Sequence, residues 1–162
     1  MVKYWFSRLA VAASIFISSP VMGHDTVVSD PIDEIECLAL NIYWESRDQL
    51  LEGQFAVALV TMNRVASRDF PNMVCSVVWQ KAWSKHVGRY VPQFTWTLDG
   101  KPDRPLERAA WRRALWVALI VYRDMVPDFT RGAVYYHNTT ALPWWRSSFV
   151  YIARIGDHLF YR

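Results

Sequence analysis

The stretch that decides the fold is DPIDEIECLALNIYWESR, residues 30–47. Asp30 can accept a hydrogen bond from a free N–H group of a first helical turn, and Pro31 suits that turn because it has no N–H of its own. Apolar side chains then recur at intervals of three and four residues, which predicts one buried stripe. These side chains are Ile35, Leu38 and Ile42. Glu45 follows Ile42 by three residues, so we expect its carboxylate on the buried face, near the helix end.

A partly desolvated Glu at this place is a candidate general acid. Removing a carboxyl group from water raises its pKa, and an acid that works near neutral pH needs a raised pKa. Tyr43 and Trp44 precede Glu45 and favour such an environment. The alternative is a structural Glu paired with Arg47 or Arg64, and the spacing alone leaves both interpretations open.

Three more helices are predicted along the chain. The second covers about residues 50–66, with Asp48 as its cap and an apolar centre that is typical of a fully packed helix. A short third helix follows a turn and ends at Trp79. The fourth and longest is predicted over residues 104–124, with Leu106 on its inner face.

Residues 84–103 show no periodicity and are predicted to form a long loop, a feature that is often functional in compact domains. Within it, QFTWT at residues 93–97 alternates polar and aromatic side chains. This alternation puts amides and hydroxyls on one side and rings on the other. It suits a glycan groove, in which rings stack on sugar faces and amides bond to hydroxyls. The alternative is a β-strand that lies over the core.

The C-terminal part of the chain has strand patterns instead of helical ones. The β-prone segments are residues 133–137, 149–155 and 158–161. Gly156 and Asp157 form the turn between the last two segments. The predicted fold class is therefore α+β, a helical body with a small C-terminal antiparallel sheet or hairpin.

Aromatic residues near these strands are further candidates for a site. Tyr136 and His137 end the first predicted strand, where site residues are common, although a packed Tyr beside a hydrogen-bonded His is the commoner arrangement. Trp144 and Trp145 follow Pro143 and are either a sugar platform or a core plug.

Residues 1–23 are predicted to be a secretory signal peptide, with Lys3 and Arg8 before an apolar run. The alternative is an uncleaved membrane anchor. It is less favoured because only about 14 apolar residues precede a Ser/Pro break, whereas a spanning helix needs roughly 20. Residues 24–30 are interpreted as a short polar linker and residues 31–162 as the domain. In both cases the domain is expected outside the cytoplasm.

The composition excludes several classes of function. The chain has 162 residues, the size of one domain, and its 52% hydrophobic and 20% charged residues exclude a disordered polymer. The net charge of +3 falls to +1 without Lys3 and Arg8, so no nucleic-acid partner is expected. The four histidines lack the spacing of a helical zinc site, so neither a metal nor another cofactor is expected. Nine Trp, eight Tyr and eight Phe indicate a flat-ring groove or an aromatic core.

Cys37 and Cys75 lie in two of the predicted helices. In an exported protein such a pair can form a disulfide. The alternative is two buried thiols, and the residues themselves leave this choice open.

Six segments of the chain carry a family resemblance. They are CLALNIYWESR from Cys37, EGQFAVALVTMNRV from Glu52, FPNMVCSVVWQ from Phe70, QFTWTLDG from Gln93, YYHN from Tyr135 and IGDHLFYR from Ile155. Together, and in this order, they resemble the SleB-type cell wall hydrolases, the family of the spore cortex-lytic enzymes. The resemblance covers about residues 37–162.

The resemblance implies a compact lysozyme-like α+β domain that cuts the glycan strand of peptidoglycan. The family's catalytic glutamate falls on Glu45, its Gln-Phe segment on Gln93 and Phe94, and its Tyr-x-His segment on residues 135–137. The residues expected to bind or orient the substrate are Gln93, Phe94, Trp96, Tyr136 and His137.

The chain departs from the family pattern at two places. Family members often carry Gly-Glu where this chain has Asp48 and Gln49. Many exported relatives also have cysteines around the Gln-Phe segment, where this chain has Pro92 and Leu98. Because Cys37 and Cys75 remain, the resemblance favours a disulfide between them.

The resemblance and the residues support a first hypothesis and two alternatives. The first is a lytic transglycosylase that cleaves between N-acetylmuramic acid and N-acetylglucosamine with Glu45 as its single acid and base. The second is a hydrolase of the same bond with Asp48 or Asp99 as a second acid. The third is an inactive glycan-binding module. We expect a secreted or periplasmic monomer, associated with the cell wall, whose partner is the peptidoglycan glycan strand.

Overall fold

The structure is a computed structural model and describes residues 30–162. The predicted signal peptide, residues 1–23, lies outside the described residues, and so does the predicted linker except for Asp30. Within the described part of the chain, no helix is long and apolar enough to cross a membrane.

The described residues form a helical body followed by a small sheet, which confirms the predicted α+β class. The helices are α1 (Pro31–Ser46), α2 (Leu51–Ala66), α3 (Val74–Val78) and α4 (Arg108–Tyr122). The strands are β1 (Lys81–Ser84), β2 (Arg89–Pro92), β3 (Tyr135–Asn138), β4 (Tyr151–Ile155) and β5 (His158–Tyr161). Short 3-10 helices cover Thr95–Leu98 and Trp144–Ser148.

Helix α1 is the central element of the helical body and packs against the other three helices. It begins as the sequence predicts, because the carboxylate of Asp30 accepts a hydrogen bond from the Ile32 N–H at 2.9 Å. Leu38 and Ile42 are fully buried. The predicted stripe therefore faces the core, and the last turn of α1 carries Glu45 toward the interior.

The predicted cap of α2 and the predicted start of α4 are wrong, although α2 begins within one residue of its predicted start. Helix α2 begins after Leu50 without a side-chain cap, so Asp48 does not cap it. Helix α4 begins at Arg108 and is one residue shorter than α1 and α2. The N–H groups of Leu106 and Glu107 donate instead to the buried Tyr43 hydroxyl, which holds this segment outside the helix and leaves Leu106 82% exposed.

The predicted long loop contains the turn and second strand of a hairpin, which begins three residues earlier, and a 3-10 helix. Strand β2 pairs antiparallel with β1, from Lys81 opposite Pro92 to Ser84 opposite Arg89. Gly88 has a φ of 63°, the left-handed conformation that a tight turn needs and that glycine adopts without strain. Strands of four residues with mixed polarity carry too little periodicity to be predicted from sequence.

The C-terminal strands form the predicted antiparallel sheet, in the order β3-β5-β4. Gly156 turns the chain between β4 and β5 with a φ of 56°. The side-chain amide of Gln49 pins this turn, because it donates to the Asp157 carboxylate at 3.2 Å and accepts from the Asp157 N–H at 3.2 Å. Gln49, at one of the departures from the family pattern, thus ties the α1–α2 connection to the sheet.

Helix α3 is held to α1 at two points. A disulfide joins Cys37 of α1 to Cys75 of α3, with 5.2 Å between the two Cα atoms. The buried carboxylate of Glu34 accepts a hydrogen bond from the Val74 N–H at the start of α3. Because β1 follows α3 after two residues, these links also set where the hairpin begins.

Candidate functional site

The fold brings Glu45 of α1 and Tyr136 of β3 together, although 91 residues separate them. Glu45 is half-buried, and its Oε2 accepts a hydrogen bond from the Tyr136 hydroxyl at 3.0 Å. No ion pair joins Glu45 to Arg47 or Arg64 within residues 30–162. Arg47 pairs instead with Glu107 at 3.2 Å. The carboxyl group is therefore held by a neutral donor.

Burial raises the pKa of the Glu45 carboxyl group above its ordinary value. The hydrogen bond from Tyr136 and the positive charge of Arg64 act in the opposite direction and limit the rise. Burial and the nearby Glu45 raise the pKa of Tyr136 well above its ordinary value, so its hydroxyl keeps its proton and donates. A carboxyl with a raised pKa and a fixed orientation is suited to general acid catalysis.

Arg64 of α2 is a buried cation behind this pair and is only 4% exposed. Its Nε–H group donates to the Val134 carbonyl oxygen at 2.7 Å. Its guanidinium carbon lies 5.0–5.8 Å from the centroids of three aromatic rings, a cation–π arrangement. The rings belong to Phe70, Phe94 and Tyr135. From sequence, Arg64 was considered only as a salt-bridge partner for Glu45. The signal that pointed to it was a charged side chain following the apolar centre of the helix.

A groove of about 710 Å³ adjoins this cluster. Tyr136 and Arg64 belong to its lining, and Tyr136 links the groove to Glu45. The hairpin β1–β2 forms one wall, and the segment with Trp144 and Trp145 forms another. The aromatic side chains that line the groove are Phe70, Trp83, His86, Tyr135, Tyr136, Trp144, Trp145 and Phe149. A groove with this lining suits a polymer of sugar rings, because the C–H face of a sugar stacks on an aromatic side chain.

Gln93 lines the groove, but Phe94 and Trp96 do not. Phe94 and Trp96 are 3% and 6% exposed and belong to the main core. The 3-10 helix that starts at Thr95 replaces the expected alternation of a loop or strand. The Trp96 indole donates to Asn41 Oδ1 at 3.1 Å, and its ring stacks on Trp44. The expectation that both rings face a sugar is therefore corrected: they pack behind the site.

His137 lies in the C-terminal sheet and does not line the groove. Its Nδ1 is 2.8 Å from the Asn138 carbonyl oxygen, which can only accept, so this nitrogen carries the proton. Its Nε2 then accepts from the Tyr161 hydroxyl at 3.1 Å. The ring also stacks on Tyr161. His137 thus orders the strand that carries Tyr136, and its ring lies outside the groove in which direct contact with substrate was expected.

The two adjacent tryptophans both line the groove but differ in exposure. Trp145 is half-buried and packs against His137 and Tyr161. Trp144 is 70% exposed, and its ring centroid lies 6.2 Å from that of His86 at the tip of the hairpin. The two walls of the groove therefore approach each other at Trp144 and His86. The sequence did not predict this contact.

Among the described residues, no hydrogen bond joins Glu45 to either candidate for a second acid. The Asp99 carboxylate accepts from the Lys101 N–H at 2.9 Å, and Asp48 is exposed. Within residues 30–162, no group of three or more His, Cys, Asp or Glu side chains is placed to hold a metal ion.

A family model described as Cell Wall Hydrolase matches residues 48–161, which is most of the chain. The chain belongs to this family. The matched segment includes Tyr136 and the groove walls, and it begins three residues after Glu45. The chain is also 34% identical over 129 residues to a spore cortex-lytic enzyme of Halalkalibacterium halodurans. That alignment covers 79% of the chain and 34% of the relative, so the chain spans about a third of its relative's length.

Two solved structures of catalytic domains are similar to this chain over most of its length. The catalytic domain of the SleB protein of Bacillus cereus superposes with a TM-score of 0.61 at 30% identity and covers 83% of this chain and 94% of that one. The catalytic domain of a germination-specific lytic transglycosylase, SleB of Bacillus anthracis, gives 0.62 at 30% identity, with coverage of 83% and 98%. The fold described above is therefore the fold of SleB catalytic domains.

Proposed function

We propose that this domain cleaves the glycan strand of peptidoglycan between N-acetylmuramic acid and N-acetylglucosamine, as a lytic transglycosylase. The observation that carries the proposal is the hydrogen bond from Tyr136 to a half-buried Glu45 beside an aromatic groove. The family membership and the similarity to a domain described as a lytic transglycosylase support it.

Glu45 would act in two steps. The protonated carboxyl first gives its proton to the glycosidic oxygen, and the bond between that oxygen and C1 of the muramic acid breaks. The resulting carboxylate then accepts the proton of the muramic acid 6-hydroxyl as that oxygen attacks C1. The product has a 1,6-anhydro end, and Glu45 is protonated again.

The surroundings of Glu45 suit both steps. Burial favours the protonated carboxyl that the first step needs, because it raises the pKa. Tyr136 and Arg64 favour the charged form that is needed for the second step. Tyr136 and Gln93 reach the groove directly, so we assign them contact with the glycan. Phe94, Trp96 and His137 would act by packing behind these residues.

A secreted or periplasmic location follows from the same proposal, because peptidoglycan lies outside the cytoplasm. The predicted signal peptide at residues 1–23 supports it. Mass mapping of the exported chain would locate its mature N-terminus, and a mature chain that begins near His24 is the expected result.

The test is mass spectrometry of muropeptides released from purified peptidoglycan by the wild-type protein and by Glu45→Gln. We expect anhydro-muropeptides from the wild type and a loss of at least about 100-fold in the variant, the usual size of a general acid's contribution. Glu52→Gln is the matched control, because Glu52 is exposed at the start of α2 and should keep full activity.

Other products would decide against this mechanism. Products with free reducing ends would indicate hydrolysis and a second acid, for which Asp48 and Asp99 are the first candidates. Binding to peptidoglycan without products from the wild type would indicate an inactive glycan-binding module.

A further inference from the structure

Two buried polar atoms in the lining of the groove have no hydrogen-bond partner in the described structure. One is Nη1 of Arg64, a donor, and the other is Oε1 of Gln80, an acceptor. Arg64 is buried, and both side chains line the groove. A buried polar atom without a partner is destabilising, so native structures seldom keep one unless it has a function.

The segment Gln93–Phe94 connects the two groups. The Arg64 guanidinium carbon lies 5.0 Å from the Phe94 ring centroid. The N–H of the adjacent Gln93 donates to the Gln80 carbonyl oxygen at 3.0 Å. The donor and the acceptor thus belong to two groove-lining residues that contact the same short segment.

The pairing of one donor with one acceptor restricts the chemistry of a ligand. A carboxylate would suit Arg64, but it would place a second acceptor against Gln80. A secondary amide satisfies both, because its carbonyl oxygen accepts and its N–H donates on separate atoms. Its flat face also suits the Phe70 and Tyr135 rings that lie against the guanidinium.

We propose that Arg64 and Gln80 form a subsite for a secondary amide of the substrate, with Arg64 donating to its carbonyl oxygen and Gln80 accepting from its N–H. This inference rests on the proposed function, because peptidoglycan supplies such amides from two sources. One source is the acetamido group of its sugars, and the other is the peptide stem.

The test measures ligand binding to the full chain carrying Glu45→Gln, which prevents turnover. Chitotetraose and cellotetraose share one β-1,4 backbone, but only chitotetraose has acetamido groups. N-acetylmuramyl-L-alanyl-D-isoglutamine and N-acetylmuramic acid differ by the peptide amides. Titration calorimetry would give a dissociation constant for each of the four probes. We expect the protein to prefer the amide-bearing member of one pair by about tenfold, the size of one or two well-made hydrogen bonds.

Gln80→Met, added to Glu45→Gln, keeps the length of the side chain and removes the acceptor, so it should abolish that preference. Arg64→Lys, added in the same way, should also reduce it, and Arg112→Lys on the exposed face of α4 is the matched control. If these variants lose the preference for chitotetraose over cellotetraose, the subsite binds the acetamido group. If they lose the preference for the muramyl dipeptide over N-acetylmuramic acid, it binds the peptide stem.

The proposal is overturned if Gln80→Met folds with an unchanged melting temperature and keeps both preferences. It is equally overturned if the Glu45→Gln protein shows no preference in either pair or binds none of the probes at millimolar concentration. Muropeptide release by the wild-type protein is scored separately. Products together with a failed subsite test reject only the subsite, whereas absence of products rejects the proposed function.

Discussion

The disulfide between Cys37 and Cys75 gives a prediction with a magnitude that can be calculated. The perturbation is the double variant Cys37→Ser/Cys75→Ser. The bridge closes a loop of 38 residues that contains the whole of α2. Without it the unfolded chain gains the conformational freedom that the closed loop removes.

The entropy of closing a loop of this length corresponds to about 4 kcal/mol of unfolding free energy at 25 °C. A domain of this size shifts its melting temperature by about 3–5 °C for each kcal/mol, so a fall on the order of 10–20 °C is expected. Helix α3 has only five residues, and besides the disulfide it is held to α1 by the bond from Val74 to Glu34 and by apolar packing of its valines. In the variant, α3 and the start of the hairpin should therefore be the first segments to unfold locally.

The assay is urea unfolding and thermal unfolding of the wild type, the double variant and the wild type with reductant. The reduced wild type and the double variant should melt together, because both lack the cross-link. Hydrogen exchange should show faster opening at residues 74–84 than in the second half of α1.

A double variant within about 1 kcal/mol of the oxidised wild type would refute the loop-closure reasoning. A reduced wild type that melts far from the double variant would also contradict it. In that case the serine side chains, and not the lost cross-link, would explain the change.

Tyr136→Phe removes the hydrogen bond that favours the charged form of Glu45, so the pKa of Glu45 should rise further. The acid form exists below that pKa, so the basic limb of the pH–activity profile should move to higher pH, with kcat about tenfold lower. An unchanged basic limb would show that another group controls it. Trp144→Ala removes an exposed ring from the groove wall and should weaken peptidoglycan binding by about 2- to 10-fold with no loss of melting temperature. Leu106→Ala is the control and should leave binding unchanged, because Leu106 is exposed and lies outside the groove lining. If the two variants weaken binding equally, Trp144 does not contact the glycan.

The position of Glu45 could be predicted from sequence because it depends on one helix. The stripe formed by Leu38 and Ile42 determines which face of α1 is buried, and a residue three positions later must lie near that face. The C-terminal strands were also predictable, because each has a β-prone pattern and Gly156 marks the turn between two of them.

The environment of Glu45 could not be predicted in the same way. Its hydrogen-bond partner comes from β3, 91 residues away, and the hydroxyl of Tyr136 reaches it only after the sheet packs on the helices. The positions of Phe94 and Trp96 show the same limit. Their alternation with polar residues suggests exposed rings, but a 3-10 turn and a hydrogen bond to Asn41 direct Trp96 into the core.

By itself the sequence determined the helical body, the C-terminal sheet, the turn of α1 that holds Glu45 and a resemblance to cell wall hydrolases. Each of these depends on local spacing or on short segments in order. Only the tertiary structure decided which aromatic residues line the groove, which donor holds Glu45, and that Arg64 and Gln80 leave a donor and an acceptor unpaired in the lining of one groove. Those properties arise from contacts between distant segments, and no local pattern specifies which buried polar atoms find a partner.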